Sequence, residues 1–188
     1  MDKTNSITEV VRQSQRVFKG VRFDVYAVEL PGKVGHSVRR EFVAHPGAVV
    51  ILPILDEQHI VMIRNERFAV GQELWELPAG TLEPKEPPEK TAYRELIEET
   101  GYQADSIQPL TKFFTSPGIC NEMMYVYVAR DLHLVGQQLD ESEKIIVKIL
   151  DWKTVNKMIH SGEICDGKTL TTLLFYQSQL TKVDEMDT

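Results

Sequence analysis

The stretch from Pro87 to Gly101 constrains this chain more than any other, because it specifies a helix that must carry carboxylates on one face. Pro87 and Pro88 suit a helix entry, where the missing N–H has no partner to lose, and Gly101 suits the position just past the end. The spacing predicts a helix over Pro88–Thr100. Within it, Arg94-Glu95-Leu96-Ile97-Glu98-Glu99 sets Glu95 and Glu99 one above the other, with Glu98 beside them at i+3. Three carboxylates this close repel one another and weaken the helix unless cations are bound. Hard divalent cations are the natural partners, and Mg²⁺ binds through few carboxylates plus substrate phosphates. Arg94 can reach Glu98 at i+4 and orient it. A Glu-rich helix is ordinarily a solvated acidic face. The surroundings argue otherwise: Gly80, Glu86, Arg94, Glu95, Glu98, Glu99 and Gly101 form one fixed pattern. Average residue usage matches such a pattern at roughly one start in 10⁸ or rarer.

Around this helix the chain reads as mostly strand. Residues 7–45 are β-rich: Val21, Phe23, Val25 and Ala27 alternate with Arg22, Asp24 and Tyr26, the period of a half-buried strand. Leu30-Pro31-Gly32-Lys33 is turn chemistry, and Ser37 to Ala44 is the returning strand. Ala48–Leu55, His59–Arg64 and Glu73–Leu77 follow as strands, the last leading into a turn at Pro78-Ala79-Gly80. After the helix come strands at Leu110–Phe114, Met123–Ala129 and Lys144–Leu150, then helices over Thr154–Ser161 and Thr169–Leu180. Strands and helices interleave without a strict βαβ rhythm, which predicts an α/β fold with a mixed sheet between helices. We expect an N-terminal antiparallel β lobe over residues 1–45, a catalytic domain over 46–182 and a frayed tail over 183–188.

Composition narrows the partners. A chain of 188 residues with a formal charge of −7 disfavours a nucleic-acid backbone, which needs clustered Lys and Arg. A small phosphate substrate is still compatible, since bound metal ions supply local positive charge. Cys120 and Cys165 lack CxxC spacing, so neither a disulfide framework nor a zinc site is expected. No apolar run resembles a signal peptide or a membrane span, and we expect a cytoplasmic protein without a membrane partner.

The pattern from Gly80 to Tyr102 resembles the Nudix box, G-x5-E-x7-R-E-U-x-E-E-x-G-U, where U is a bulky aliphatic residue. Leu96 fills the first U, and Tyr102 at the last U is the one departure. A looser resemblance, to the ADP-ribose pyrophosphatase branch of that family, extends over most of the chain. Trp75-Glu76-Leu77-Pro78-Ala79-Gly80 resembles its lead-in to the box, and Ser116-Pro117-Gly118 its proline loop. Val38-Arg39-Arg40-Glu41 and His45-Pro46-Gly47-Ala48 resemble the end of its N-terminal strands.

This resemblance implies the Nudix fold and Mg²⁺-dependent (Mn²⁺ is the substitute) hydrolysis of the pyrophosphate in a nucleoside diphosphate sugar. ADP-ribose is the leading substrate, cut to AMP and ribose 5-phosphate. It assigns metal binding to the Ala79 carbonyl, Glu95 and Glu99, with Glu98 as a further ligand or catalytic helper. A turn at Pro78-Ala79-Gly80 would leave that carbonyl free. The general base lies outside the box, on a loop before the last strand, and the best register puts it at Glu141; Glu143 is then a third-metal ligand. Asp140 or Glu143 as base stays open. By the same resemblance Arg67 holds phosphate, and Ser116, Gly118 and Glu122 grip the second phosphate and terminal ribose. Arg40 and Glu41 serve the nucleoside end of the neighbouring active site in a homodimer. Cys120 reads as packing, and the five His residues have no assigned role.

Two other readings compete. A broader nucleotide-sugar hydrolase, accepting GDP-mannose for example, would use the same box with different loops. A non-catalytic Nudix-like sensor would bind the ligand uncut, but such proteins commonly lose box glutamates, and here they are intact.

Overall fold

The computed structural model describes residues 12–21, 23–139 and 143–186, apart from the side chains of residue 34 and of residues 181–186. In chain order the elements are β1 (Gln15–Lys19), β2 (Asp24–Pro31), β3 (Ser37–Ala44), β4 (Ala48–Pro53), β5 (His59–Arg67), β6 (Gln72–Glu76), β7 (Ala79–Thr81), α1 (Pro88–Thr100), β8 (Tyr102–Phe114), β9 (Met123–Leu134), β10 (Ile145–Asp151), α2 (Trp152–Ser161) and α3 (Gly167–Met186). They gather into two compact units, Met1–Gly47 with Phe114–Met123, and Ala48–Phe113 with Met124–Thr188.

The first unit is an antiparallel sheet in the order β1-β2-β3. β2 and β3 pair from Asp24↔Ala44 to Pro31↔Ser37, and β3 has the bounds its sequence predicts. The alternation read from Val21 overran the strand. Gly20 N–H instead donates to the Phe23 carbonyl at 3.1 Å, which makes a tight turn and leaves Val21 fully exposed before β2 begins at Asp24. Arg22 and residues 7–11 lie outside the described residues. The segment 114–123 is sewn to β3 by Val43 N–H to Ile119 O at 2.8 Å and Asn121 N–H to Val43 O at 3.2 Å.

The second unit holds the core. Its four-stranded sheet runs β7-β4-β9-β8, with β4 antiparallel to β7 and parallel to β9. Val49 and Ile51 of β4 pack with Ala92 and Leu96 of α1, while Val50 and Leu52 pack with Val155, Met158 and Leu173 of α2 and α3. The sheet therefore lies between helices, and β4 is buried on both faces. That explains the unbroken apolar run Ala48–Pro53, since a doubly covered strand has no polar face to alternate. A second sheet, β10-β5-β6, is antiparallel throughout.

Local chemistry sets the boundaries. Asp56 accepts the Gln58 and His59 N–H groups at 2.8 Å each and closes the turn into β5. α1 spans Pro88–Thr100 as predicted, with Gly101 left-handed at φ 73 and its N–H on Ile97 O at 2.8 Å. Asp151 caps α2 through Thr154 N–H, and Asp166 accepts Thr169 N–H at the start of α3. α2 begins at Trp152 and α3 runs from Gly167 to Met186, both longer than the sequence implies. β8 also begins earlier, at Tyr102: Ala104 and Ile107 face the core, but exposed polar neighbours dilute the apolar signal in this edge strand. Among the described residues, no helix is long and apolar enough to cross a membrane.

One correction bears on the site. Pro78-Ala79-Gly80 is not a turn, because Ala79–Thr81 forms β7 and pairs with Ala48–Val50. Ile51 N–H donates to Pro78 O at 2.9 Å, so the next rung, Val50↔Ala79, is a non-hydrogen-bonded one. The Ala79 N–H and carbonyl thus face away from β4. The carbonyl is free of β4 through strand register rather than through a turn.

Candidate active site

Glu95 and Glu99 sit one turn apart on α1 and are both buried, at 9% and 4% exposure. They lie against β7. Ala79 N–H donates to Glu99 Oε2 at 2.8 Å. At Gly80, any Cβ would overlap the Glu95 carboxyl group. This is the physical need for glycine at that position: β7 and α1 approach too closely for a side chain.

Arg94 organises the rest of the helix face. Its Nη1 donates to Glu95 Oε1 at 2.8 Å and to Glu98 Oε2 at 2.7 Å, the i+4 contact expected from sequence. Its Nη2 meets Glu86 Oε2 at 3.2 Å, and Thr91 Oγ1 donates to the same oxygen at 2.9 Å. Glu86 therefore anchors Arg94, a role the spacing did not reveal. Burial lowers the Arg94 pKa, but Glu86, Glu95 and Glu98 outweigh it and hold the guanidinium firmly charged.

Both buried carboxyls sit well above the ordinary glutamate range. Burial pushes Glu95 up to about 7, with Arg94 opposing and Glu98 and Glu143 adding repulsion. Burial pushes Glu99 up to about 8, opposed by the Ala79 N–H and by Arg67. Glu143 thus lies within electrostatic reach of both. Glu141, with Asp140 and Ser142, lies outside the described residues. Among the described residues, no three His, Cys, Asp or Glu side chains converge as a ready metal cluster. Arg94 holds Glu95 and Glu98, and β7 holds Glu99. Mg²⁺ does not require such a cluster, because one or two carboxylates with waters and phosphates complete its shell. A buried carboxyl pair beside a free strand carbonyl, cleared by glycine, fits that demand.

Arg67 stands at the end of β5 and grips Glu76 bidentately, Nε to Oε1 at 2.7 Å and Nη2 to Oε2 at 2.6 Å. Glu76 has no exposed surface. Lys168, in the first turn of α3, also donates to Glu76 Oε2, and to Asp166 Oδ2 at 3.0 Å. The adjacent Thr169 Oγ1 accepts the Leu77 N–H at 2.9 Å. The start of α3 thereby pins the segment leading into β7. Sequence reasoning missed Glu76, Lys168 and Thr169. The available signal was a lone carboxylate inside the apolar run Leu74-Trp75-Glu76-Leu77, which implies a buried charge in need of cations.

The remaining expected residues belong to the other compact unit. Arg40 and Glu41 are exposed on β3; Glu41 pairs with Arg39 at 2.9 Å, and Arg40 Nη1 donates to the Arg39 carbonyl. Ser116 and Gly118 are exposed, and the Ser116 carbonyl accepts the Ile119 and Cys120 N–H groups. Glu122 is half-buried and accepts from Thr115 Oγ1 at 2.6 Å. His45 Nδ1 stands 3.3 Å from Glu122 Oε1 and 3.1 Å from Gly47 N; it can donate to the first or accept from the second, not both at once. His45 and Thr115 had no assigned role. Cys120 is half-buried and unpaired in any disulfide, and burial raises its thiol pKa, which suits the packing role expected of it.

A mixed sheet between helices, with an acidic helix face closed by a glycine-bearing strand, defines a class of proteins that carry a carboxylate site on a helix. The chain belongs to the NUDIX domain family, which matches residues 44–173. It is 38% identical over 176 residues to an ADP-ribose pyrophosphatase of Bacillus subtilis (strain 168), covering 92% of this chain and 94% of that one. It is 37% identical over 171 residues to a methanol dehydrogenase activator of Bacillus methanolicus, covering 89% and 91%. A crystal structure of an ADP compounds hydrolase has the same fold, with a TM-score of 0.80 at 23% identity over 90% of this chain and 92% of that one.

Proposed function

We propose that this chain is a Mg²⁺-dependent hydrolase of nucleoside diphosphate sugars that cuts the pyrophosphate of ADP-ribose to give AMP and ribose 5-phosphate. The observation that carries this reading is the buried Glu95–Glu99 pair, closed by β7 at Ala79 and Gly80. Likeness to an ADP-ribose pyrophosphatase over nearly the whole of both chains supports the choice of substrate.

The Ala79 carbonyl, Glu95 and Glu99 would hold Mg²⁺, with Glu143 as a further ligand. Bound there, Mg²⁺ supplies positive charge that offsets the charge on the pyrophosphate oxygens. The chain's residues do the rest. Arg94 keeps Glu98 and Glu95 oriented. Arg67 offers the edge of its guanidinium not used on Glu76 to a phosphate. Glu141 takes the proton of the attacking water as a new P–O bond forms and the bridging P–O bond breaks. Ser116, Gly118 and Glu122 grip the second phosphate and the terminal ribose. Arg40 and Glu41 serve the nucleoside end of the neighbouring site in a cytoplasmic homodimer.

Turnover on ADP-ribose, GDP-mannose, UDP-glucose and NADH, with and without Mg²⁺, tests the reading. Fastest release of AMP and ribose 5-phosphate, abolished by chelator, is expected. GDP-mannose as the best substrate would move the assignment to the broader hydrolase. Binding of ADP-ribose with no cleavage at any Mg²⁺ concentration would make the chain a sensor.

A further inference from the structure

Four charged side chains from three places in the sequence meet where the end of β5, the end of β6 and the start of α3 come together: Arg67, Glu76, Asp166 and Lys168. Burying a lone carboxylate is costly, and Glu76 is wholly buried, so its two cations are obligatory neighbours. They are not equivalent. Lys168 has a second partner in Asp166 and little exposure, whereas both hydrogen bonds of the Arg67 side chain go to Glu76. Arg67 is also the more open of the two, with 39% of its side chain exposed. It lies within electrostatic reach of Glu99.

Glu76 therefore decides where the Arg67 guanidinium points. Released from that fork, the guanidinium still has Glu99 and Asp166 as acidic groups acting on it, and Glu99 is the position a divalent cation needs. We propose that Glu76 is a positioning residue that holds Arg67 off Glu99 and turned toward substrate phosphate, with Lys168 balancing Glu76 so that Arg67 keeps its positive field. This rests on the pyrophosphatase reading above for the substrate, but not for the metal. The device has a second element: Thr169, next to Lys168, fixes Leu77 and so sets the strand that leads into Ala79.

The test separates the two parts. Mn²⁺ affinity of the full chain is measured by electron paramagnetic resonance without substrate, then KM and kcat for ADP-ribose with Mg²⁺. Glu76→Gln should weaken Mn²⁺ binding about five- to tenfold, and adding Arg67→Ala to it should restore the affinity to within twofold. A structural defect alone would not be relieved by a second deletion. Arg67→Lys alters a part-exposed residue, so it tests the fork even if Glu76→Gln fails to fold. It keeps the charge but not the bidentate grip, and should raise KM about tenfold with kcat changed less than threefold. Unchanged Mn²⁺ affinity in Glu76→Gln, or a loss that Arg67→Ala does not relieve, overturns the proposal. So does an unchanged KM in Arg67→Lys. A wild-type chain that binds Mn²⁺ but cleaves no nucleotide sugar would defeat the functional reading, while the Mn²⁺ arm would still judge the positioning of Arg67.

Discussion

Ala79 N–H donates to Glu99 Oε2 at 2.8 Å, joining the strand that carries one expected metal ligand to the helix that carries two. Because Val50↔Ala79 is the open rung of its ladder, this amide is available to Glu99 rather than to β4. Replacing Glu99 with Gln keeps the size of the side chain and an acceptor for that N–H, but removes the charge that would bind Mg²⁺. Turnover should fall by roughly 10²–10³-fold, the scale on which one electrostatic contributor is lost. Circular dichroism should show an intact fold. Near-normal activity of Glu99→Gln at saturating Mg²⁺ contradicts the assignment.

The same pair predicts how stability depends on pH. In the fold, burial holds Glu95 at about 7 and Glu99 at about 8, against 4.5 for an unperturbed glutamate. Between those values the folded chain keeps protons that the unfolded chain has released, so stability must fall as pH rises. The loss begins above the unperturbed value and is complete once pH passes about 8. With chelator present, the melting temperature should decline from pH 5 to pH 8, and added Mg²⁺ should oppose the decline by favouring the ionised pair. Glu99→Gln should flatten the chelated profile. A chelated wild type whose melting temperature rises across that range rules this out.

Gly80→Ala tests the contact between β7 and α1. The added Cβ would overlap the Glu95 carboxyl group, so either that side chain or the strand must move. Overpacking of this kind costs about 1–3 kcal/mol. Denaturant unfolding should show a loss of that size, accompanied by a rise in the Mg²⁺ concentration needed for half-maximal rate. A variant with wild-type stability and metal demand means that β7 yields freely.

What could be read from sequence follows the range of the forces involved. α1 was legible because Pro88 and Gly101 act on their own backbone and the box glutamates repeat with the helical turn. β3 was legible from the turn before it and the strand residues after. β7 was not, because Ala79-Gly80-Thr81 extends only where β4 offers an edge. Glu86 as an anchor for Arg94 needed the chain to bend back over Thr91. The Glu76–Lys168 contact spans 92 positions, and no local pattern announces so distant a partner.

Val17 and Phe18 on β1, Phe23 just before β2, and Leu30 on β2 are exposed. A second copy of the chain, related by a two-fold axis, would cover such side chains and bring Arg40 and Glu41 to the neighbouring site. Light scattering at micromolar concentration should give about twice the 21.5 kDa chain mass. Phe18→Glu should shift the protein toward monomer and reduce activity together. A fully active monomer removes the dimer from the mechanism.

The last prediction separates Glu141 from Glu143, two of the three acidic residues just before β10. A base that activates water matters in the transition state and adds little to substrate binding, so Glu141→Gln should lower kcat far more than it raises KM. General bases typically contribute about 10²–10⁴-fold, and a loss on that scale is expected. Glu143 already exerts repulsion on Glu95 and Glu99, as a shared cation site requires. Removing its charge should therefore act through metal affinity, and raising Mg²⁺ should recover much of the rate. Both variants are to be assayed across a Mg²⁺ titration. A metal-insensitive loss in Glu143→Gln, with Glu141→Gln recovering at high Mg²⁺, exchanges the two roles and makes Glu143 the base.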